Sequence, residues 1–237
     1  MPAFNAEKTL EKTYFDIPLE MRANVLLVDD GSTDRTVQIA NSLNIEVIVH
    51  SSNLGYGANQ KTCYENTLNF GAEVVIMIHP DYQYDARCAK IMAEIIMLGN
   101  CDVLLGNRIR TRHEALSGGM PKWKYFLNRI STLIENILLG QNLGDFHSGM
   151  RAYSRAALEA VPFKSYSNDF RFDQQVLVQC VALNLKIGDI PVPVRYAMDS
   201  SSINLSRSLI YGWWGVTTIL GFLISRSRLL RAFSAKK

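Results

Sequence analysis

Three clusters of polar residues could do chemistry together, because each follows an apolar run of strand length. The first, residues 29–34 (DDGSTD), begins with two carboxylates and continues through a glycine to two hydroxyl side chains. The other two, residues 50–57 and 79–85, each begin with a histidine. Paired carboxylates at the end of a strand can accept hydrogen bonds from the N–H and hydroxyl groups of a nucleoside. An acidic turn that caps a helix has the same composition, so residues 29–34 alone leave both interpretations open.

The elements that must position these clusters alternate between strand and helix. Apolar runs at residues 24–28, 45–49 and 73–78 predict strands, and residues 58–69 and 86–98 have the pattern of helices. This alternation is typical of a parallel sheet that is covered by helices. Because right-handed crossovers place the loops that follow parallel strands at one edge, we expect the three clusters to meet there.

The second half of the chain is less regular. A polar loop leads to a long predicted helix over residues 121–139, which begins with a proline, as the first turn of a helix tolerates. A further helix is predicted near residues 172–183, followed by an extended segment over residues 186–196. Pro191 and Pro193 should keep that segment at an edge of the sheet or outside it.

Composition excludes several classes of protein. Of the 237 residues, 48% are hydrophobic and 20% are charged, which excludes an intrinsically disordered chain. The balance of 25 Lys and Arg against 22 Asp and Glu is too even for a protein whose main partner is duplex nucleic acid. The four cysteines form no CxxC and no ligand spacing, which favours thiols in a reducing cytosol. The first residues lack the pattern of a signal peptide.

The carboxyl-terminal segment, residues 206–237, differs from the rest. Residues 208–225 carry no charge and include two of the three tryptophans, and only basic charges follow them. This pattern favours a helix that lies on an anionic membrane surface, with the protein peripheral on the cytoplasmic face. Eighteen residues are at the short limit for a membrane span. A span and a packed or oligomer-forming helix therefore stay as alternatives.

Linked motifs in residues 1–205 resemble those of family 2 glycosyltransferases, which have a GT-A fold. PAFNAE at residues 2–7 is similar to P-A-[YF]-N-E-E, and about 25 residues later DDGSTD is similar to D-D-G-S-x-D. NLGYG at residues 53–57 is similar to the N-x-G-x-G loop of the family. DFHSGMRA at residues 145–152 resembles the D-x-x-S-G-[FY]-R-A of the dolichyl-phosphate mannose synthase-like branch.

The resemblance implies a GT-A (Rossmann-like), mostly parallel sheet flanked by helices as the catalytic domain, residues 1–205. The family has an apolar strand directly before P-A-[YF]-N, and Met1 stands where that strand should end. We therefore expect the fold to lack its first strand. Losing a central strand is costly against a total stability of about 5–15 kcal/mol. We accordingly expect either a true start upstream or a poorly stable product.

The resemblance also implies a site for a nucleotide sugar and a divalent cation, Mn²⁺ or Mg²⁺. HPDYQ at residues 79–83 stands where the branch usually has D-A-D-L-Q, so Asp81 and Gln83 match while His79 replaces an aspartate. Hard cations prefer oxygen ligands, and Mn²⁺ tolerates an imidazole better than Mg²⁺ does. His79 either ligates the cation or only hydrogen-bonds the nucleotide. The implied nucleotide pocket is lined by Pro2, Ala3, Asn5, Glu7, Asp29, Asp30, Ser32, Asn53 and Gly55.

The implied reaction is an inverting transfer of the sugar, and the leading acceptor is a polyprenyl (dolichyl- or undecaprenyl-type) phosphate at the membrane. A hydroxyl acceptor would instead need a carboxylate base, for which Asp145 is the first candidate and Asp173 the second. A structural loop cap is the alternative role for Asp145. A phosphate acceptor needs no base but needs cations to hold it. The candidate cations are Arg108, Lys124, Arg129, Arg151 and Arg195, of which Arg129 stands where the branch has a motif arginine.

Two further interpretations stay open. The chain could use a saccharide hydroxyl as acceptor, or it could bind a nucleotide sugar without catalysis. The sequence does not identify the sugar or the base, and it leaves a homo-oligomer open.

Overall fold

The computed structural model describes residues 1–109, 111–195, 219 and 221. Within these residues, strands alternate with helices in the first half of the chain, and the order is less regular in the second half, as predicted. The strands are β1 (Pro2–Ala3), β2 (Leu26–Asp29), β3 (Glu46–Val49), β4 (Val74–Met77), β5 (Val103–Asn107), β6 (Arg151–Ser154) and β7 (Ile187–Pro191). The helices are α1 (Leu10–Asp16), α2 (Thr36–Ser42), α3 (Tyr56–Asn69), α4 (Ala89–Met97), α5 (Arg112–Ser117), α6 (Lys122–Leu139), α7 (Arg155–Ala160) and α8 (Phe172–Ala182).

The described strands form two sheets. One has the order β1-β2-β3 and is parallel throughout. The other has the order β4-β6-β5-β7, in which β6 runs antiparallel to both neighbours and β7 runs parallel to β5. β7 lies at the edge of its sheet and ends at Pro191, where the missing N–H is tolerated. The prediction of a mostly parallel sheet flanked by helices is confirmed.

The first strand, which the sequence predicted to be lacking, is present over two residues only. Pro2 and Ala3 pair in parallel register with Val28 and Asp29, and both are buried. The carbonyl oxygen of Met1 also accepts a hydrogen bond from the N–H of Val28 at 2.9 Å. β1 pairs only with β2 among the described strands, which leaves β4 in the second sheet.

Two hydrophobic clusters lie on the two faces of the strand layer. Successive residues of β2 point to opposite faces, so Leu26 and Val28 belong to one cluster and Leu27 to the other. The first cluster is completed by side chains from α3, α7 and α8, and the second by side chains from α1, α2 and α4. Each cluster takes residues from both sheets, which makes the strands one layer between helices.

The carboxyl-terminal segment lies outside the described residues apart from Ile219 and Gly221. Ile219 is buried in the first cluster. No helix within residues 1–109 and 111–195 is both long and apolar enough to cross a membrane. The division of the chain at residue 205 stays a prediction.

Candidate functional site

The loops that follow β1 and β2 are joined by side-chain hydrogen bonds. The backbone N–H of Asn5 donates to Oγ of Ser32 at 2.8 Å, and Oδ1 of Asn5 accepts from the N–H of Thr33 at 2.9 Å. Asn5 has a positive φ of 51°, a conformation that asparagine tolerates. Oε2 of Glu7 pairs with Nε of Arg35 at 3.3 Å. The fold therefore brings the two motifs of the resemblance together at one edge of the sheet.

Asp29 and Asp30 are buried, and both use their oxygens within the protein. Oδ2 of Asp29 accepts the N–H of Ser32 at 2.9 Å. Oδ1 of Asp30 accepts from Leu54 N–H at 2.9 Å and lies 2.8 Å from Nδ1 of His50, while Oδ2 accepts from Gly55 N–H at 3.0 Å. Both carboxylates thus fasten the turns of the site, and a contact of either with a nucleoside stays a prediction.

The loop at residues 53–57 needs its glycines because another segment passes close to it. Gly55 has a positive φ of 102°, and a Cβ there would lie 2.6 Å from the carbonyl oxygen of Asn168. A Cβ on Gly57 would lie 2.5 Å from the carbonyl oxygen of Ser167. The N–H of Gly57 donates to the carbonyl oxygen of Asn168 at 2.7 Å. This contact brings the residues just before α8, and with them Asp173, to the same edge, while Asn53 is exposed on it.

Tyr56 joins this loop to His79 and Asp173. Its hydroxyl donates to Oδ2 of Asp173 at 2.7 Å and lies 3.2 Å from Nε2 of His79, whose ring stacks on Tyr56 at 5.4 Å between centroids. Burial, helped by the charge of Asp173, raises the pKa of Tyr56 well above its usual value. Because the Tyr56 proton goes to Asp173, the phenol oxygen accepts from Nε2–H of His79, which leaves the imidazole lone pair on Nδ1. The sequence motif contains Tyr56 but gave no reason to assign it this role.

Burial favours the neutral form of the His79 imidazole. Burial lowers its pKa and outweighs the nearby carboxylates of Asp81 and Asp173, which act in the opposite direction. Asp173 also accepts from Nε2 of Gln60 at 3.1 Å. The Asp30 turn, the Tyr56 loop and the segment after β4 are therefore in contact one after the other, so the polar clusters predicted to meet do so.

The segment after β4 offers few ligands for a cation. Oδ1 of Asp81 accepts the N–H of Gln83 at 3.0 Å, and no basic side chain in the described part of the chain pairs with Asp81. The described residues contain no group of three or more His, Cys, Asp or Glu that could hold a metal ion. Asp81, Gln83 and the Nδ1 lone pair of His79 fit a divalent cation as a partial set of ligands. The oxygens of a bound diphosphate and water would have to complete it.

Arg195 lies beside that segment. Its guanidinium stacks 4.1 Å over the ring of Tyr82, and its backbone N–H donates to the carbonyl oxygen of Gln83 at 2.8 Å. Nη2 pairs with Oδ2 of Asp16 at 2.9 Å. A role of Arg195 toward an acceptor phosphate stays a prediction, and its contacts place it on the cation side of the site.

Arg151 is not placed where an acceptor could reach it. Its side chain is only 2% exposed. Its guanidinium donates to three backbone carbonyl oxygens, those of Phe146 at 3.2 Å, Ser148 at 2.8 Å and Asp173 at 3.0 Å. The expected role in binding an acceptor anion is therefore corrected: Arg151 is a positioning residue that joins the 146–148 loop to α8.

Asp145 is fully buried and ion-paired. Its Oδ2 accepts from Nε of Arg108 at 2.6 Å, and its Oδ1 accepts from Nδ2 of Asn128 and from the N–H of His147, both at 3.0 Å. Burial acts to raise the pKa of Asp145, but the charges of Arg108 and His147 and the hydrogen bonds outweigh it, and the pKa lies below its usual value. A carboxylate in this state is not placed to take a proton from an acceptor. The geometry supports the structural alternative for Asp145 and not the general base.

Three of the predicted acceptor cations lie close together. Nη1 of Arg129 donates to the carbonyl oxygen of Gly144 at 2.6 Å, next to the Asp145 that pairs with Arg108. Burial lowers the pKa of Lys124, and repulsion from Arg108 lowers it further. No hydrogen bond or ion pair joins Lys124 to another of the described side chains. Neighbouring cations that repel one another are what an anion-binding site requires.

Comparisons with known proteins find relatives of this chain in sequence and in fold. The family model of Glycosyl transferase family 2 matches residues 1–161. The chain is 26% identical over 224 residues to an uncharacterised protein of Methanocaldococcus jannaschii, with 94% of this chain and 87% of that protein covered.

Two of the relatives are named for transfer to dolichyl phosphate. The UDP-N-acetylglucosamine–dolichyl-phosphate N-acetylglucosaminyltransferase of Methanococcus voltae is 24% identical, with 83% of this chain and 84% of that one covered. The dolichyl-phosphate hexose transferase of Haloferax volcanii is 27% identical, with 82% and 81% covered.

The fold is shared with the glucosyl-3-phosphoglycerate synthase of Mycobacterium tuberculosis, crystallised with Mn²⁺, UDP and glucosyl-3-phosphoglycerate. The TM-score is 0.67 at 16% identity, covering 93% of this chain and 77% of that one.

Proposed function

The chain belongs to glycosyl transferase family 2 and is a glycosyltransferase, and we propose that it transfers a sugar from a nucleotide diphosphate sugar to the phosphate of a polyprenyl-type lipid. The names of two relatives, both dolichyl-phosphate transferases, support this acceptor class. The UDP bound to the structural neighbour supports a nucleotide sugar as donor.

The observation that carries the proposal is the state of Asp145. A hydroxyl acceptor loses a proton during the reaction and needs a base close to it. Asp145 is buried and neutralised by Arg108, and the second candidate, Asp173, already accepts from Tyr56 and Gln60. A phosphate acceptor is already anionic, so it needs cations and no base. Arg108, Lys124 and Arg129 supply those cations.

The chemistry then requires no proton transfer. An oxygen of the acceptor phosphate forms a bond to the anomeric carbon of the sugar, and the bond from that carbon to the diphosphate oxygen breaks. The electron pair leaves with the nucleoside diphosphate, and attack from the opposite side inverts the anomeric configuration. Lys124 and its neighbours Arg108 and Arg129 hold the acceptor phosphate against repulsion from the diphosphate.

Asp81 and Gln83 are the residues that would hold a divalent cation, with Nδ1 of His79 as a third ligand. When bound, such a cation neutralises the charge that develops on the leaving nucleoside diphosphate. Tyr56 orients the ring of His79 through its contact with Nε2, and Asp173 fixes the Tyr56 proton. The nitrogen ligand favours Mn²⁺ over Mg²⁺.

Acceptor choice tests the proposal. The full chain is incubated with Mn²⁺, a panel of UDP and GDP sugars, and one of three acceptors: farnesyl phosphate, farnesol or a disaccharide. We expect a glycosylated product with farnesyl phosphate and none with farnesol, because the two differ only in the phosphate. Transfer to the disaccharide, without transfer to farnesyl phosphate from any donor, would establish a hydroxyl acceptor and refute the proposal.

A further inference from the structure

Helix α6 has a polar face toward the protein. Its side chains there include Asn128, Thr132 and Glu135, all buried. Oε1 of Glu135 accepts from Nε2 of Gln174 at 3.1 Å, and its Oε2 lies 3.3 Å from Nε2 of His147. These contacts hold α6 against α8 and the loop that carries Asp145, so the orientation of the helix is fixed from its inner side.

The outer face of α6 is apolar and exposed. Six large apolar side chains lie there, each between 38% and 71% exposed: Trp123, Phe126, Ile130, Leu133, Ile134 and Ile137. At 100° per residue these six occupy an arc of about 100°, opposite to the buried polar residues. We call them the outer stripe. A surface helix normally has the reverse arrangement, and a contiguous apolar patch of this kind marks an interaction site.

The charges of α6 indicate what covers the stripe. Lys122 and Arg129 border one edge of it on the helical wheel, and Lys124 lies on the same helix. The only acid of the helix is Glu135, which is buried. The exposed side of α6 is therefore apolar with positive charge only, which is the complement of an anionic lipid surface.

We propose that α6 lies on an anionic membrane through its outer stripe. This inference rests on the proposed function for one step: a lipid phosphate must reach Lys124 and Arg129 from a bilayer. With the stripe in the bilayer surface, Arg129 at its edge lies close to the lipid headgroups, and Lys124 lies farther in, toward the protein. The lipid phosphate then reaches its site while the hydrocarbon tail of the lipid stays in the membrane.

Two other partners that could cover the outer stripe are less consistent with the charges of α6. Residues 206–237 are apolar in part, but they contain basic residues and no acid, so they repel the basic edge of the stripe. A second copy placed with its stripe against the first would bring like charges together in the same way. Both occupants are outcomes that the experiments below distinguish from lipid.

The first experiment measures binding of the full chain to vesicles of phosphatidylcholine and phosphatidylglycerol in a 3:1 ratio by co-sedimentation. The test variant carries Phe126→Ser, Ile130→Ser and Ile137→Ser. The matched control carries Leu19→Ser, Met97→Ser and Leu98→Ser, which lie elsewhere and are at least as exposed. The test variant should lose at least about tenfold in the partition coefficient, because three large apolar side chains no longer enter the lipid. The control should bind like the wild type, and equal losses in both variants would overturn the proposal.

A second experiment observes the stripe directly and does not depend on the triple variant folding. With Trp213→Phe and Trp214→Phe, Trp123 is the one tryptophan left of three. Brominated lipids in the vesicles should quench its fluorescence. A chain that sediments with the vesicles while Trp123 stays unquenched would show that residues 206–237 carry the binding. A dimer by light scattering that the triple variant abolishes, without any vesicle binding, would assign the stripe to a second copy.

Failure of this inference can be told apart from failure of the proposed function. Farnesyl phosphate tests the transfer without a membrane. Its glycosylation by a chain that does not bind vesicles would refute the membrane role of α6 and leave the function standing. Vesicle binding through Trp123, with no transfer to any phosphate, would support the membrane role of α6 and refute the proposed function.

Discussion

Replacing Lys124 with methionine tests the acceptor end of the site most directly. The change removes the charge and keeps most of the apolar stem that packs along the helix. Because burial and Arg108 already lower the pKa of Lys124, the charge does not stabilise the folded chain. The melting temperature should therefore not fall, and any loss of activity can be assigned to binding.

The size of the effect follows from the half-buried position of Lys124. A hydrogen bond to a charged group contributes about 1.5–3 kcal/mol, which corresponds to a loss of about 10- to 150-fold in kcat/KM for the phosphate acceptor. An exposed ion pair contributes only about 0–1 kcal/mol, or at most about fivefold. The measured loss therefore distinguishes a buried phosphate contact from a surface attraction.

The assay is the initial rate with farnesyl phosphate at saturating donor. Lys122→Met is the matched control, since it removes the same charge from an exposed position on the same helix, and it should stay within about twofold of the wild type. The KM for the donor should be unchanged in both variants. A Lys124→Met enzyme with wild-type kcat/KM and an unchanged melting temperature would refute the assignment of this lysine to the acceptor phosphate.

Three further outcomes follow from the packing of the site. Arg151→Met should lower the free energy of unfolding by about 3–5 kcal/mol in urea titrations, because three carbonyl oxygens lose their donor and two of these hydrogen bonds are buried. A loss below about 1 kcal/mol would contradict this, and Lys at the same position should restore part of the stability. Gly57→Ala should cost about 1–3 kcal/mol in thermal unfolding, since its Cβ would lie 2.5 Å from the carbonyl oxygen of Ser167. Burial lowers the pKa of His147, but Glu135 outweighs it and the net shift is upward. The stabilisation from the His147–Glu135 pair is complete below about pH 6.5 and is lost as the pH rises through the folded-state pKa of His147. His147→Gln should therefore flatten the decline of the free energy of unfolding above that pH. An unchanged dependence on pH would assign the decline to other groups.

The order of strands and helices could be predicted from the sequence because it depends on local patterns. The run at residues 73–78 and the pattern at residues 121–139 have the lengths and periods of β4 and α6, and both elements are present. The meeting of the polar clusters at one edge followed from the handedness of the crossovers. The two-residue β1 was not predicted, because two residues are too few to show the alternating pattern of a strand.

The states of individual side chains could not be predicted in the same way. Asp145 and Arg151 lie in one motif. The sequence left a catalytic base and a structural loop cap open for Asp145, and it suggested that Arg151 binds the acceptor. Their roles depend on Arg108 and on the carbonyl oxygens of α8 and the 146–148 loop, which are up to 37 residues away. Burial by distant segments decides whether a charged side chain can act on a substrate or only stabilises the fold. No local sequence pattern indicates which of the two applies.

The close approach of Gly55 and Gly57 to residues 167 and 168 has a consequence for engineering this enzyme. The carbonyl oxygens of that second segment occupy the space that side chains at both glycines would need. A transplanted loop at residues 53–57 that lacks either glycine is therefore not accepted alone. The segment just before α8, which includes residues 167 and 168, then has to be exchanged together with the loop. A mismatch between the two segments would displace Asp173.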